Sequence, residues 1–356
     1  MIHSKVLKIN TVEPELPQTS ILLIYTGGTL GMVYGESGAL EPFNFEQILD
    51  KIPSLKTLDL ELSVISFSKL IDSSNVNPKD WKEIGNIIFE NYNRYDGFVV
   101  LHGTDTMAYS ASALSFMLSG LNKPVIFTGA QLPIGAVRSD ARENLITAIE
   151  VASARKDGLP IVSEVCIYFD SYLLRGNRAR KVQSIHFDAF ESVNYPVLAD
   201  AGVLMDYHQS ALKKYGVDHN IEFKTNFDSS VVVLKLFPGI SREVVKGILE
   251  IEGLKGVILE TYGSGNAPTD QWFIDLMQDA VKRGIILLNV SQCNGGKVIQ
   301  GRYGTSALLK KMGILSGSDM TTEAAVTKLM FLLGTENDPK KIREALIRPL
   351  AGELTE

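Results

Sequence analysis

Apolar runs that do not alternate with polar residues recur through the first half of the chain, at residues 20–25, 97–101, 124–128 and 164–169, with a more mixed apolar segment at 60–67. Such unbroken runs are the mark of strands buried on both faces of a parallel sheet. Between them the spacing turns helical. A helix is predicted from Pro78, a residue suited to a first helical turn, to about residue 92. A second covers residues 107–121, with apolar positions at 107, 111, 114, 118 and 121, and a third, with Ser139 or Asp140 as its cap, runs to about residue 154. Alternation of this kind predicts an α/β fold: a larger N-terminal domain with a mostly parallel sheet and helices on both faces.

After about residue 200 the text becomes polar and loses its period, then resumes as strands at 231–237, 256–260 and 285–290 and helices at 242–251, 270–283, near 305–311, 322–333 and 339–346. That predicts a smaller C-terminal α/β domain with its own parallel sheet. The domain reading is therefore 1–205 for the larger domain, 206–228 for a linker and 229–356 for the smaller domain, with residues 1–19 as a polar extension holding Pro14 and Pro17.

Length agrees, since 356 residues at about 150 per domain make two domains. The 41 acidic and 35 basic residues are well mixed at a net charge of −6, so no basic face calls for nucleic acid. The two cysteines, Cys166 and Cys293, have no paired spacing, which argues for a reducing compartment. The five histidines are never closer than eleven residues, and no metal-ligand or haem motif is present, so no metal and no cofactor are expected. The N-terminus lacks a signal peptide's apolar segment and cleavage site, and no run approaches the ~18 apolar residues of a membrane span. A cytoplasmic protein with no membrane partner is expected.

Candidate chemistry gathers where the predicted strands end. The strand at 20–25 runs into Thr26-Gly27-Gly28-Thr29, where adjacent glycines permit close approach of backbone to ligand. The loop after it, residues 32–43, holds Gly35, Gly38 and Pro42 and reads as a segment able to close over a site. Beyond residue 67 come Asp72-Ser73-Ser74-Asn75, and after the strand at 97–101 come His102-Gly103-Thr104-Asp105-Thr106-Met107. Gly129-Ala130-Gln131 follows the strand at 124–128, and four cations, Arg175, Arg178, Arg180 and Lys181, lie within seven residues beyond the strand at 164–169. Taken singly these are helix caps, loop residues and a solvated basic turn. In a parallel sheet with right-handed crossovers they share one edge, where ligands bind. A threonine hydroxyl there can be activated by a lysine amine in its neutral form. A phosphate-binding reading fails, because neither G-x-x-x-x-G-K-[ST] nor a well-spaced G-x-G-x-x-G occurs.

Thr26-Gly27-Gly28-Thr29, followed by His102-Gly103-Thr104-Asp105-Thr106-Met107, resembles the two signatures of the bacterial-type L-asparaginase family. Asp72-Ser73-Ser74, Arg175-Gly176-Asn177 and Tyr262-Gly263-Ser264-Gly265-Asn266-Ala267-Pro268 extend the likeness over residues 20–353, and it is greatest to the cytoplasmic type I enzymes. The resemblance implies hydrolysis of L-asparagine to L-aspartate and ammonia, with Thr29 as nucleophile and Thr104, Asp105 and Lys181 as a proton-transfer group. It further implies that Asp105 holds the substrate ammonium, Ser73 with Asp72 the carboxylate, and that the Ala130 carbonyl faces departing ammonia. Backbone N–H groups at Gly28 and Thr104 would be the oxyanion donors. The family forms intimate dimers, usually paired as tetramers, and Asn266 matches a residue lent to the neighbouring subunit.

Two departures stand out. Many members have a tyrosine about ten residues after the first threonine, where this chain has Gly38 and Ala39; Tyr303 is the substitute expected to orient the nucleophile. Cytoplasmic members with an allosteric asparagine site use an arginine and a threonine where this chain has Glu260 and Arg180, so little activation of that type is expected. Three rivals differ in kind. An amidotransferase subunit with these motifs carries an extra N-terminal domain, for which nineteen residues before the first strand leave no room. A non-catalytic amino-acid sensor would be favoured by loss of a threonine, and both are present. A flavodoxin-like nucleotide binder lacks its phosphate loop.

Overall fold

The computed structural model describes residues 7–10, 19–34, 40–42, 52–216, 220–301 and 304–356. Contacts divide the chain into Met1–Phe223 and Lys224–Glu356, a boundary inside the segment assigned to the linker.

Among the described residues the first unit is built on one nine-stranded sheet. Its strands are β1 (Leu7–Asn10), β2 (Thr19–Tyr25), β3 (Leu60–Ser66), β4 (Gly97–Leu101), β5 (Val125–Thr128), β6 (Val165–Phe169), β7 (Tyr172–Arg175), β8 (Ala199–Ala201) and β9 (Met205–Tyr207), in the spatial order β1-β3-β2-β4-β5-β6-β7-β8-β9. The five strands β3-β2-β4-β5-β6 are parallel, and β4, β5 and β6 are buried along their whole length, which is why they read as continuous apolar runs. The connecting helices are α1 (Pro78–Asn91), α2 (Met107–Met117) and α3 (Ala141–Ser153). The α1 N-terminus is closed by a capping box between Asn77 and Asp80 with Pro78 at its first turn.

Four expectations are corrected. Residues 7–10, read as part of a polar extension, form the edge strand β1, antiparallel to β3; the four-residue alternation Leu-Lys-Ile-Asn is too short a signal to register alone. The predicted closing loop at 32–43 is in part a hairpin, with Met32–Tyr34 antiparallel to Leu40–Pro42; Gly35 and Gly38 lie outside the described residues. Helix α2 stops at Met117, because Leu118–Ser119 pairs with Glu222–Phe223 and Gly120 takes a positive φ of 72°. Finally, β7, β8 and β9 extend the sheet with an antiparallel edge that the apolar pattern does not announce.

The second unit carries a four-stranded parallel sheet, β10 (Val231–Lys235), β11 (Gly256–Thr261), β12 (Ile286–Ser291) and β13 (Leu315–Ser316), paired in that order. Helices α4 (Arg242–Leu249), α5 (Gln271–Lys282), α6 (Gly304–Lys311), α7 (Thr322–Thr335) and α8 (Pro339–Leu346) accompany it. Its core joins Leu234, Val245, Leu249, Leu259, Phe273, Met277 and Leu287. An ion pair is also buried in this unit. Lys328 on α7 and Glu353 near the C-terminal end form an ion pair of 2.6 Å with both side chains wholly inaccessible. Lys328 Nζ also donates to the carbonyls of Leu346 and Arg348, while the Glu353 carboxylate accepts from the amides of Leu350 and Ala351.

Candidate active site

The site follows from the order of the strands. The chain passes from β2 to β3 on one side, then returns to place β4 on the other, so the sheet's direction of growth reverses between β2 and β4. In open α/β sheets ligands bind outside the strand C-termini at such a switch point. Register makes those ends level. Tyr25, the last residue of β2, is opposite both Ser66 of β3 and Leu101 of β4, and Leu101 is opposite Thr128 of β5. The four loops that follow must therefore lie side by side.

They are joined closely. Thr26 donates from its amide and its hydroxyl to the Leu101 carbonyl, at 3.1 and 2.8 Å, and its own carbonyl accepts from the Ile71 amide at 2.8 Å. Gly28 has φ 90°, and a Cβ there would stand 2.6 Å from the Gly103 nitrogen. A Cβ on Gly103 would stand 2.5 Å from Ser73 Oγ. Only glycine at 28 and 103 permits the backbones of these two loops, and the Ser73 side chain, to come so close.

On this base each loop begins with one short 3-10 turn: Thr29–Gly31 after β2, Ser73–Asn75 after β3 and Thr104–Thr106 after β4. Thr29 heads the first, half-buried, and its hydroxyl takes part in no hydrogen bond among the described residues. The hydroxyls of the second signature do not cap α2, whose N-terminus has no side-chain cap. Thr106 Oγ1 donates instead to the Ser73 carbonyl at 2.7 Å, and Thr104 Oγ1 accepts from Lys181 Nζ at 2.8 Å. Lys181 Nζ also lies 2.6 Å from Asp105 Oδ1, with 17% of the lysine side chain exposed and 65% of the aspartate. The lysine is thus held while the carboxylate remains open to a ligand. Asp72 caps its own turn by accepting from the Ser74 amide and hydroxyl, and these bonds hold its carboxyl below the usual range. Ser73 beside it is buried.

The basic stretch that carries Lys181 is no solvated turn. Arg175 and Arg178 are buried; Arg175 Nε pairs with Glu164 Oε2 at 2.5 Å, and both guanidiniums lie over the Tyr195 ring. The strand Arg180–Lys181 then pairs with Phe190–Glu191, which puts Lys181 on a fixed hairpin. On the opposite flank buried Ala130 follows β5. Its turn is held by Asp140, which accepts from the amides of Gln131 and Leu132 rather than capping α3, and by Asn144 Nδ2, which donates to the Gly129 carbonyl at 3.0 Å. Ser139 Oγ accepts from the Ala141 amide. Asn144 escapes a sequence reading, Asp140 reads there only as a helix cap, and Gln131 only as a residue of the strand-end turn after Ala130.

His102 braces the floor from behind. The Gly103 carbonyl, 2.7 Å from Nδ1, can only accept, so Nδ1 carries the proton and Nε2 accepts from Ser110 Oγ at 2.9 Å, which in turn accepts from Trp81 Nε1. Burial pushes the His102 pKa down to about 4. The unfolded chain binds this proton below pH ~6.5 and the folded protein does not, so stability falls as pH drops from about 6.5 to about 4, by ~3 kcal/mol in all. Above that window the histidine is neutral in both states and contributes no pH dependence. Thermal melts of the wild type and His102→Gln across pH 4–7 should show a shallower acid decline in the variant; parallel declines would refute the assignment.

Asn266 belongs to the second unit, in the turn after β11, where its backbone exchanges hydrogen bonds with Tyr262. Glu260 at the end of β11 is buried, accepts from the Thr322 hydroxyl and lies 3.6 Å from Lys235 Nζ. Tyr303 lies outside the described residues. Among the described residues no cluster of three or more metal-ligating side chains occurs, and no helix is long and apolar enough to cross a membrane.

Fold and site together define a two-unit α/β protein with a threonine, a lysine and an aspartate joined at the switch point of its larger sheet. Its relatives make that class specific. The chain belongs to the asparaginase family: residues 20–213 match the family model for Asparaginase, N-terminal, and residues 230–346 that for the Glutaminase/Asparaginase C-terminal domain. It is 41% identical over 342 residues to L-asparaginase 1 of Escherichia coli (strain K12), covering 96% of this chain and 99% of that one. Among solved structures it matches L-asparaginase I of Vibrio cholerae O1 biovar eltor with TM-score 0.85 at 37% identity, over 95% and 99% of the two chains. The thermostable L-asparaginase of Thermococcus kodakarensis matches with TM-score 0.87 at 32% identity, again over 95% and 99%.

Proposed function

We propose that this protein is an L-asparaginase, hydrolysing the side-chain amide of L-asparagine to L-aspartate and ammonia. The observation that carries the reading is Lys181 Nζ lying within 2.8 Å of Thr104 Oγ1 and 2.6 Å of Asp105 Oδ1, beside the loop that begins with Thr29. Thr29 Oγ attacks the amide carbon, the C–N bond breaks, and ammonia leaves with a proton passed through Thr104 and Lys181; water then cleaves the ester to Thr29. A lysine serves as the base in its neutral form, and its bond to Thr104 gives the proton a path. Amide N–H groups of Gly28 and Thr104 receive the oxyanion, and the Ala130 carbonyl faces the departing ammonia.

Selectivity for a free amino acid needs a partner for each charged end. Asp105 engages Lys181 through Oδ1, which leaves Oδ2 for the substrate ammonium, while Ser73 with the Asp72 turn takes the carboxylate. In the assembled enzyme, a pair of intimate dimers forming a homotetramer in the cytoplasm, Asn266 reaches the neighbouring subunit's site and Tyr303 orients the nucleophile. L-Glutamine, one methylene longer, is a minor substrate, since a single methylene in a pocket discriminates by only ~1–3 kcal/mol. The Glu260 carboxylate, engaged by Thr322 and Lys235, is set against a second, activating asparagine carboxylate.

The test is ammonia release from purified protein over a range of L-asparagine and L-glutamine concentrations. A hyperbolic response to asparagine is expected. No release from asparagine refutes the activity, and a sigmoidal curve made hyperbolic by Glu260→Ala refutes only the statement on regulation.

A further inference from the structure

Gln131 is a polar side chain at the site to which the proposed reaction gives no task. We propose that it is a positioning residue that sets the direction of the Thr104 hydroxyl proton and so the proton balance of Lys181; this rests on the reading of Thr104 and Lys181 as a proton-transfer pair.

The argument is one of donors and acceptors. Gln131 Nε2 lies 2.9 Å from the His186 carbonyl, which accepts only, so the amide nitrogen must face it. The other end, Oε1, then lies 3.4 Å from Thr104 Oγ1. An amide oxygen cannot donate, so the Thr104 hydroxyl proton points at Gln131. That leaves the Thr104 lone pairs to accept from Lys181 Nζ at 2.8 Å, an arrangement that suits the ammonium form. For Lys181 to take the Thr104 proton, the hydroxyl must turn from Gln131 to the amine.

The backbone beneath Gln131 is fixed. Its amide donates to both oxygens of Asp140, at 2.9 and 3.2 Å, and Asn144 ties Asp140 to the Gly129 carbonyl. His186 lies between the two strands of the hairpin that carries Lys181, so one amide group spans from Thr104 to that hairpin.

Among the described residues, the turn Thr104–Thr106 brings Asp105 into direct contact with Lys181; the paired strand carries Glu191, opposite Arg180; and its own segment holds Arg178, over the Tyr195 ring, and Arg180.

Two variants separate this role from a structural one. Gln131→Met is close in shape and cannot accept the Thr104 proton, which turns to the amine and favours its neutral form. Gln131→Glu accepts that proton and adds a negative charge, favouring the ammonium. Titration of Lys181 by NMR of protein labelled at the lysine ε-carbon, with Lys181→Arg identifying the signal, should move down by about 0.5 pH unit or more in Gln131→Met and up by a similar amount in Gln131→Glu. The acid limb of the kcat profile should move in the same two directions, with KM for L-asparagine within about twofold. Shifts of one sign in both variants, or none in either, overturn the proposal. The NMR readout needs no turnover, so absence of asparaginase activity would sink the proposed reaction and leave the Gln131 assignment to stand or fall by itself.

Discussion

Thr29→Val should lower ammonia release from L-asparagine by on the order of 10³-fold or more. The substitution exchanges a hydroxyl for a methyl at nearly constant volume, and it deletes the atom proposed to form the covalent bond. Thr29 is half-buried at the head of a short turn, and its hydroxyl makes no hydrogen bond among the described residues. No described partner is stranded, so folding stability should change by no more than about 1 kcal/mol. Thr104→Val should also be severely impaired, for a different reason: it removes the hydroxyl that accepts from Lys181 and through which the proposed proton transfer runs. Steady-state kinetics with a melting curve for each variant separates loss of chemistry from loss of fold. Full activity in Thr29→Val would remove Thr29 from the nucleophile's role.

Lys328→Met should destabilise the protein by about 3–5 kcal/mol, because it leaves the Glu353 carboxylate buried without its cation. Both side chains of this pair are inaccessible, and the lysine also closes the carbonyls of Leu346 and Arg348 at the end of α8. The Lys328→Met/Glu353→Gln double variant should recover part of the loss, since a neutral amide still accepts from the Leu350 or Ala351 amide without a buried charge. Urea denaturation of the two variants measures this. A loss below about 1 kcal/mol in the single variant would show that the buried carboxylate finds other compensation.

The central strands of both units were legible in the sequence because parallel strands covered on both sides admit few polar residues. The edges were not: β1, β8 and β9 have three or four residues each, too few for a period to show. At the site, Thr29, Ser73, Thr104 and Lys181 could be chosen because each follows an apolar run, and a threonine or lysine there is chemically conspicuous. Other assignments needed three dimensions. Arg175 and Arg178 read as a wet basic turn until Glu164 and Tyr195, distant in sequence, were seen against them. Gln131 has meaning only through the hairpin that brings the His186 carbonyl to it. Lys328 falls at an ordinary helical position, and nothing in its neighbours along the chain announces Glu353.

The close seating of Gly28, Gly103 and Ser73 bears on how this protein can be altered. Three strand-end loops meet there with no room for one added carbon, so a library aimed at a different amide substrate should leave residues 26–29, 71–73 and 102–104 unvaried. The turn at residues 130–132 is secured differently, by the side chains of Asp140 and Asn144 gripping its backbone. Of its own side chains, Ala130 is packed in the core and Gln131 reaches Thr104, so Leu132 is the one to exchange while that grip persists. Diversity placed there leaves the glycine contacts of the floor undisturbed.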